Sequence, residues 1–80
     1  MTQIVVYTTP TCGFCHMLKS YLKDKGVDYT EKDLTKDMDA YNTVLKKTGQ
    51  LAVPVMEVGE KYVVGFDRKK VDELVEIAKS

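Results

Sequence analysis

The sequence predicts an α/β fold in which a four-stranded mixed sheet is combined with three helices. Apolar residues recur with the period of strands in four segments and with the period of helices in three, and these segments are separated by glycines, prolines or a polar connection. Their order along the chain is β-α-β-α-β-β-α. The length of 80 residues suits a single domain over residues 1–80, and 44% apolar residues are too many for an intrinsically disordered chain.

The first half of the chain has the pattern of a strand–helix–strand unit. Residues 3–8 are mostly β-branched or aromatic and are soon followed by Pro10, which is typical of a buried strand. Residues 14–25 carry apolar side chains at helical spacing, and Gly26 then supplies a left-handed stop. Residues 27–32 alternate apolar and polar, which predicts a second strand, parallel to the first through a right-handed crossover.

A second helix follows a polar connection at residues 33–37. Acidic residues at Asp37 and Asp39 suit its first turn, and Gly49 is expected to end it. Its predicted inner stripe consists of Met38, Tyr41, Leu45 and Thr48.

The last part of the chain predicts a hairpin and a third helix. Residues 55–58 and 61–64 are apolar segments separated by a two-residue turn that opens on Gly59, so we expect an antiparallel pair. Asp67 is a candidate cap for the third helix. The predicted inner face of this helix consists of Val71, Leu74, Val75 and Ala78.

Charge and hydropathy exclude several classes of protein. Twelve basic side chains balance twelve acidic ones without a local basic surplus, so we expect no nucleic-acid partner. No apolar run approaches the roughly 20 residues of a membrane span, and residues 1–3 lack the features of an export signal. We therefore expect a soluble, cytoplasmic protein, and we expect it to be a monomer.

The two cysteines, Cys12 and Cys15, are the strongest chemical signal. They stand where the first strand gives way to the first helix, and one helical turn brings them within disulfide reach. Unpaired N–H groups and the dipole at a helix N-terminus stabilise a thiolate, and thiol pKa values in such C-x-x-C sites fall to about 3.5–7.5. A disulfide that closes so short a loop stabilises little, so a chemical role is favoured over a structural one. We expect Cys12 to be the exposed nucleophile and Cys15 the more buried resolving thiol.

Other uses of the cysteine pair stay open at this point. With His16 the pair forms C-x-x-C-H, the attachment sequence of c-type haem, although several strands and no export signal are predicted. A zinc site needs about four ligands, and the sequence has no further Cys or His, so no metal site within one chain is expected. A metal shared between two chains and a pair of inert core cysteines are the remaining alternatives. His16 itself is expected to lie on the surface.

The chain resembles the glutaredoxin branch of the thioredoxin superfamily over essentially its whole length. Residues 7–15, Val53 with Pro54, and residues 64–67 carry the resemblance. It implies a thioredoxin-like fold, with the sheet flanked by the three helices, and a dithiol–disulfide oxidoreductase that reduces protein or glutathione mixed disulfides. It also implies a cis peptide bond before Pro54, beside the cysteines, where the backbone of Val53 would pair with an extended cysteinyl substrate.

Departures from the family pattern concern the reductant. Gly13 and Phe14 stand where glutaredoxins usually have Pro-Tyr, and residues 9–11 lack a lysine that helps to hold a glutathione carboxylate. Phe66 replaces the second glycine of the usual Gly-Gly pair. Residues 64–67 are partly similar to the NrdH redoxins, which take electrons from thioredoxin reductase. This chain, however, lacks the tryptophan that normally precedes Gly-Phe in those proteins. The electron donor is therefore either glutathione, as a reducing co-substrate, or a thioredoxin reductase.

The resemblance implies a substrate site around the two cysteines, with no bound cofactor. Its candidate residues are Thr11, Phe14, Val53, Pro54, Gly65, Phe66 and Asp67. Asp67 either binds the amino group of glutathione or caps the last helix. Tyr7, Phe14 and Phe66 either form an apolar rim or lie partly in the core. A binding module that shares an iron–sulfur cluster between two chains is the less favoured alternative, because most such proteins carry a single active-site cysteine.

Overall fold

The computed structural model describes residues 3–49 and 53–79, which form a four-stranded sheet and three helices. The order of the elements confirms the prediction. In chain order they are β1 (Ile4–Thr8), α1 (Gly13–Asp24), β2 (Thr30–Asp33), α2 (Met38–Thr48), β3 (Val55–Val58), β4 (Lys61–Val64) and α3 (Arg68–Lys79).

The sheet has the strand order β2-β1-β3-β4 and is mixed. β1 and β2 are parallel and pair Thr8 with Asp33, whereas β3 runs antiparallel to β1 and pairs Val55 with Tyr7. β4 is antiparallel to β3 and pairs Val64 with Val55. These paired residues mark one end of the sheet, which we call the upper end. Since each helix follows a strand that finishes there, all three helices begin at the upper end.

Side chains alternate across the strands, so each face of the sheet carries its own apolar cluster. The larger cluster joins one face to α1 and α3, and it consists of Ile4, Val6, Leu18, Leu22, Met56, Val58, Val63, Val71, Leu74, Val75 and Ala78. The smaller cluster joins the opposite face to α2, and it consists of Tyr7, Leu34, Ala40, Val44 and Val55. The inner face predicted for α3 is thereby confirmed.

The second strand begins later than its alternating pattern suggested. Strand β2 starts at Thr30, because the backbone of Gly26 is left-handed (φ +70°) and the N–H of Val27 donates to the carbonyl of Leu22 at 3.2 Å. Val27 and Tyr29 pack against the larger cluster from this connection. Their alternation therefore reflects the packing of a loop and not the pairing of a strand.

Helix α2 buries a different stripe from the predicted one. Met38 and Leu45 are 69% and 42% exposed, while Ala40 and Val44 are buried. The helix carries two apolar stripes, the predicted one with Met38 and Leu45 and another with the smaller side chains of Ala40 and Val44. The second stripe faces the sheet, because the ring of Tyr7 already fills much of the space between the sheet and α2.

The remaining boundaries agree with the sequence analysis. α2 ends at Gly49, whose φ is +75°, and the β3–β4 hairpin turns at Gly59 with φ +61°. Asp67 caps α3, since its Oδ1 accepts from the backbone N–H of Lys69 at 3.1 Å. Over residues 3–49 and 53–79, no helix has the length and apolar character needed to cross a membrane.

Candidate active site

The two cysteines lie at the upper end, at the start of α1. Cys12 is the N-cap residue of α1, Cys15 lies in its first turn, and a disulfide joins them with 5.2 Å between their Cα atoms. Cys15 is 1% exposed, whereas Cys12 is only half-buried. Cys12 is therefore the sulfur that another molecule can approach.

The sulfur of Cys12 occupies a position that favours negative charge. The backbone N–H of Cys15 donates to the Cys12 Sγ at 3.1 Å. In α2 the same bond is made by a carboxylate, because the N–H of Ala40 donates to Asp37 Oδ1 at 3.0 Å. The sulfur thus takes the place of a capping carboxylate, and after reduction an anionic sulfur there is stabilised by the N–H and the helix dipole.

The segment before Cys12 presents its residues to solvent. The backbone N–H of Cys12 donates to the carbonyl of Thr9 at 3.3 Å, and this turn leads the chain into the helix. Thr11 is exposed, and so is His16, as the sequence predicted for that histidine. Phe14 is 62% exposed although it is aromatic, so an apolar ring stands in solvent within one turn of the cysteine pair.

Val53 and Pro54 come to the same end of the sheet through β3. Their peptide bond is cis, as the resemblance implies, and Pro54 is buried while Val53 is half-buried. Because the next residue, Val55, pairs with Tyr7, they lie beside the end of β1, from which the chain continues to the cysteines. The structure therefore brings Val53 and Pro54 to the segment of residues 7–15 that carries the cysteines.

Residues 64–67, the third segment that carries the resemblance, reach the upper end through β4. The N–H of Gly65 donates to the carbonyl of Pro54 at 2.7 Å, and Gly65 adopts a left-handed conformation with φ +83°. Phe66 is half-buried, and its ring meets that of Tyr21 on α1 edge to face, with 5.6 Å between centroids. Asp67 is exposed, and its carboxylate is occupied at the cap of α3.

Tyr7 belongs to the core and not to the rim, which decides between the two positions that the sequence left open. It is 4% exposed and lies in the smaller cluster, because its place in β1 turns its side chain toward α2. Its hydroxyl donates to Glu57 Oε1 at 3.2 Å, and Lys47 pairs with the other oxygen of that carboxylate. Burial, and then the neighbouring Glu57, raise the pKa of Tyr7 to about 12.

A polar network beside the site was not anticipated from the sequence. Thr8, buried at the end of β1, donates its hydroxyl to Glu31 Oε2 at 2.8 Å, and Lys19 Nζ binds the same oxygen at 2.8 Å. Hydrogen bonds from Lys19 and then Thr8 hold the pKa of Glu31 below its usual value. The register of β1 against β2 and the packing of α1, which carries Lys19, bring these residues together, and no local sequence signal marks that register.

The groups at this site that could bind a metal are the two cysteine sulfurs, as far as the described residues show. Within the described residues, no group of three or more His, Cys, Asp or Glu side chains is arranged to hold a metal ion. The arrangement suits the making and breaking of a disulfide.

The comparisons with known proteins agree with this geometry. The family model described as Glutaredoxin matches residues 4–63. A curated relative, an uncharacterized glutaredoxin-like 8.6 kDa protein of the rubredoxin operon in Clostridium pasteurianum, is 34% identical over 73 residues. That alignment covers 91% of this chain and 97% of the relative.

Solved structures show the same fold over almost the entire chain. The crystal structure of a mutant thioredoxin-like protein superposes with a TM-score of 0.86 at 34% identity, covering 96% of this chain and 99% of the other. The NrdH-redoxin of Escherichia coli, described as a glutaredoxin-like protein with a thioredoxin-like activity profile, superposes with a TM-score of 0.80. It is 25% identical, and the superposition covers 90% of this chain and 93% of the NrdH-redoxin.

Proposed function

Since this chain belongs to the glutaredoxin family and is a thiol–disulfide oxidoreductase, we propose that it reduces protein disulfides by a two-cysteine mechanism. The thiolate of Cys12 attacks a substrate disulfide, forms a mixed disulfide and releases one substrate thiolate. The thiolate of Cys15 then attacks the Cys12 sulfur and releases the second. Two electrons pass to the substrate, and the protein is left with the Cys12–Cys15 disulfide.

The observation that carries this proposal is the unequal setting of the two sulfurs. Cys12 is accessible and accepts an N–H at the helix N-terminus, so its thiolate is both reachable and stabilised. Cys15 is 1% exposed, so it meets a disulfide only after Cys12 has brought one to it. These positions support the proposed roles, with Cys12 as the nucleophile and Cys15 as the resolving thiol.

We propose that the substrate chain binds across the upper end, between residues 7–15, Val53 with Pro54, and residues 64–67. An extended chain would pair with the backbone of Val53 and lie between Thr11 and Gly65. The supporting facts are the position of Val53 beside the end of β1 and the hydrogen bond that joins Gly65 to Pro54. The exposed ring of Phe14 offers apolar contact, which suits a protein partner.

For the electron donor we propose a protein of the thioredoxin reductase type, with glutathione as the competing candidate. Phe66 adds a ring where the resemblance places the glutathione backbone, and the carboxylate of Asp67 already caps α3. Residues 9–11 supply no cation for a glutathione carboxylate. Similarity to a redoxin with a thioredoxin-like activity profile supports the same choice.

The proposal includes a setting for the protein. We place residues 1–80 in one domain that works as a monomer, because both reacting sulfurs belong to one chain. A reducing compartment such as the cytoplasm suits an enzyme whose disulfide must be reduced again after each turnover.

The donor is tested by NADPH-coupled reduction of insulin disulfides with two alternative donor systems. One reaction contains thioredoxin reductase alone, and the other contains glutathione with glutathione reductase. We expect turnover with thioredoxin reductase and little with glutathione. Turnover with glutathione alone would overturn the choice of donor, and turnover with neither would overturn the proposed function.

The roles of the two cysteines are tested by single substitutions. Cys12→Ser should abolish turnover, whereas Cys15→Ser should accumulate a mixed disulfide with the substrate, visible as a mass increase that dithiothreitol reverses. His16→Ser, on the exposed side of the same helix turn, serves as the control and should keep turnover. Full activity of Cys12→Ser would show that the nucleophile is assigned wrongly.

The iron–sulfur alternative fits this site less well. A cluster shared by two chains would take the Cys12 sulfur as a ligand, and the disulfide with Cys15 competes for that sulfur. Anaerobic purification that yields a brown protein with visible absorbance would favour the cluster.

A further inference from the structure

Tyr21, six residues beyond Cys15 on α1, contacts α3 and the segment before it. Its hydroxyl donates to Asp72 Oδ1 on α3, and Lys25 Nζ approaches the same oxygen at 3.2 Å. The Lys25 ammonium also lies 5.1 Å from the centroid of the Tyr21 ring, and the Arg68 guanidinium lies 5.5 Å from it. The phenol is therefore held at its polar tip and over its ring by charged groups from two helices.

Phe66 packs against the Tyr21 ring that these charged groups hold in place. The two rings meet at 63° with centroids 5.6 Å apart, a geometry that aromatic pairs prefer, and both rings also contact the larger apolar cluster. Phe66 is thus fastened to α1 through Tyr21, although it lies between β4 and α3 in the sequence.

Fixing Phe66 also restrains its neighbour Gly65. Gly65 is in the left-handed region, φ +83°, and donates its N–H to the carbonyl of Pro54 at 2.7 Å. A line of contacts therefore runs from Asp72 through Tyr21 and Phe66 to Gly65 and Pro54.

We propose that Tyr21 is a positioning residue, which holds Phe66 and Gly65 against Pro54 and so fixes one side of the proposed binding position of the substrate chain. This inference rests on the proposed function, because that function places the substrate chain against the backbone of Val53 and between Thr11 and Gly65. The contacts described for Tyr21 do not include the reacting sulfurs. Its loss should weaken substrate binding and leave the chemistry of Cys12 unchanged.

The test compares Tyr21→Leu with Tyr29→Leu. Both tyrosines are half-buried and pack against the larger cluster. Tyr29, however, precedes Thr30, which pairs with Val5 toward the opposite end of the sheet. The pair of variants therefore separates loss of a core ring from loss of the contact with Phe66. Tyr21→Phe keeps the ring and removes only the hydroxyl.

Two measurements are made on each variant. In the insulin assay, Tyr21→Leu should raise KM about 3- to 10-fold with little change in kcat, as expected when an aromatic contact is lost. By NMR, hydrogen exchange of the Gly65 amide should become about tenfold faster relative to the core amides. Tyr29→Leu should change neither the KM nor the relative exchange rate of the Gly65 amide. Tyr21→Phe should have a KM close to that of the wild type. In a Phe66→Leu background, adding Tyr21→Leu should have no further effect.

Equal effects of Tyr21→Leu and Tyr29→Leu on KM, or an unchanged Gly65 exchange rate in Tyr21→Leu, would overturn the inference. The two proposals fail separately. A wild-type protein that does not turn over insulin contradicts the proposed function, whereas the exchange measurement still decides whether Tyr21 holds Gly65 in place.

Discussion

At the scale of single residues, Tyr7 shows how a residue next to an active-site motif can serve the fold instead. The first segment that carries the family resemblance begins with this tyrosine, and the sequence leaves its side chain either on a substrate rim or in the core. Strand alternation instead directs its ring into the smaller cluster, where its hydroxyl meets Glu57. A buried phenol beside a carboxylate resists ionisation, and this resistance links the stability of the protein to alkaline pH.

Replacing Tyr7 by Phe should abolish that link. In the unfolded chain the phenol ionises near pH 10.0, but in the folded protein its pKa is about 12. The stabilisation is therefore complete below pH 10 and is lost as the pH rises toward 12. Urea unfolding across this range should show a falling stability for the wild type and a much flatter curve for Tyr7→Phe, which loses about 0.5–1.5 kcal/mol at pH 7.

The matched control for this prediction is Tyr62→Phe. Tyr62 lies on the same face of the sheet, is 41% exposed, and donates its hydroxyl to the carbonyl of Lys47 at 2.8 Å. This variant should keep the alkaline fall of the wild type. A fall of equal size in Tyr7→Phe would mean that another group causes it.

At the scale of elements, α2 shows that periodicity finds a helix more easily than its buried face. Val44→Ala should destabilise the protein by about 2 kcal/mol, because the lost methyl groups leave a void in the smaller cluster. Leu45→Ala, one residue on, removes a larger but 42% exposed side chain and should change stability by less than about 0.5 kcal/mol. Denaturant midpoints of the two variants would decide the matter, and a larger loss in Leu45→Ala would restore the stripe predicted from the sequence.

The same contrast explains which features the sequence could and could not predict. Turns and caps depend on local chemistry, so Gly49, Gly59 and Asp67 were found from the residues alone. The cysteine pair was found in the same way, since its spacing and its place before a helix are local. The late start of β2 was not predicted, because Val27 and Tyr29 have the alternation of strand residues although they pack from a loop. The contact of Tyr21 with Phe66 joins residues 45 positions apart and leaves no local signal.

At the scale of the whole molecule, the topology places three helix N-termini at the end that carries Cys12. Each N-terminus bears partial positive charge, and in α2 and α3 an aspartate offsets it, whereas in α1 the cap is the sulfur itself. The anionic caps and a Cys12 thiolate therefore repel one another across the upper end. The reactivity of this cysteine should depend on charges that never touch it.

Neutralising the cap of α2 should make Cys12 easier to ionise. Asp37→Asn keeps a good N-cap but removes a negative charge, so the midpoint pH of Cys12 alkylation by iodoacetamide should fall by a few tenths of a pH unit. The measurement uses a Cys15→Ser background, in which Cys12 is the single thiol. Asp28→Asn, in the connection that follows α1 toward the other end, removes an equal charge and should shift the midpoint less. High salt should erase the difference, since exposed charges are screened over about 3 Å at 1 M. Equal shifts in both variants would mean that net charge, and not the convergence of helix N-termini, governs the thiolate.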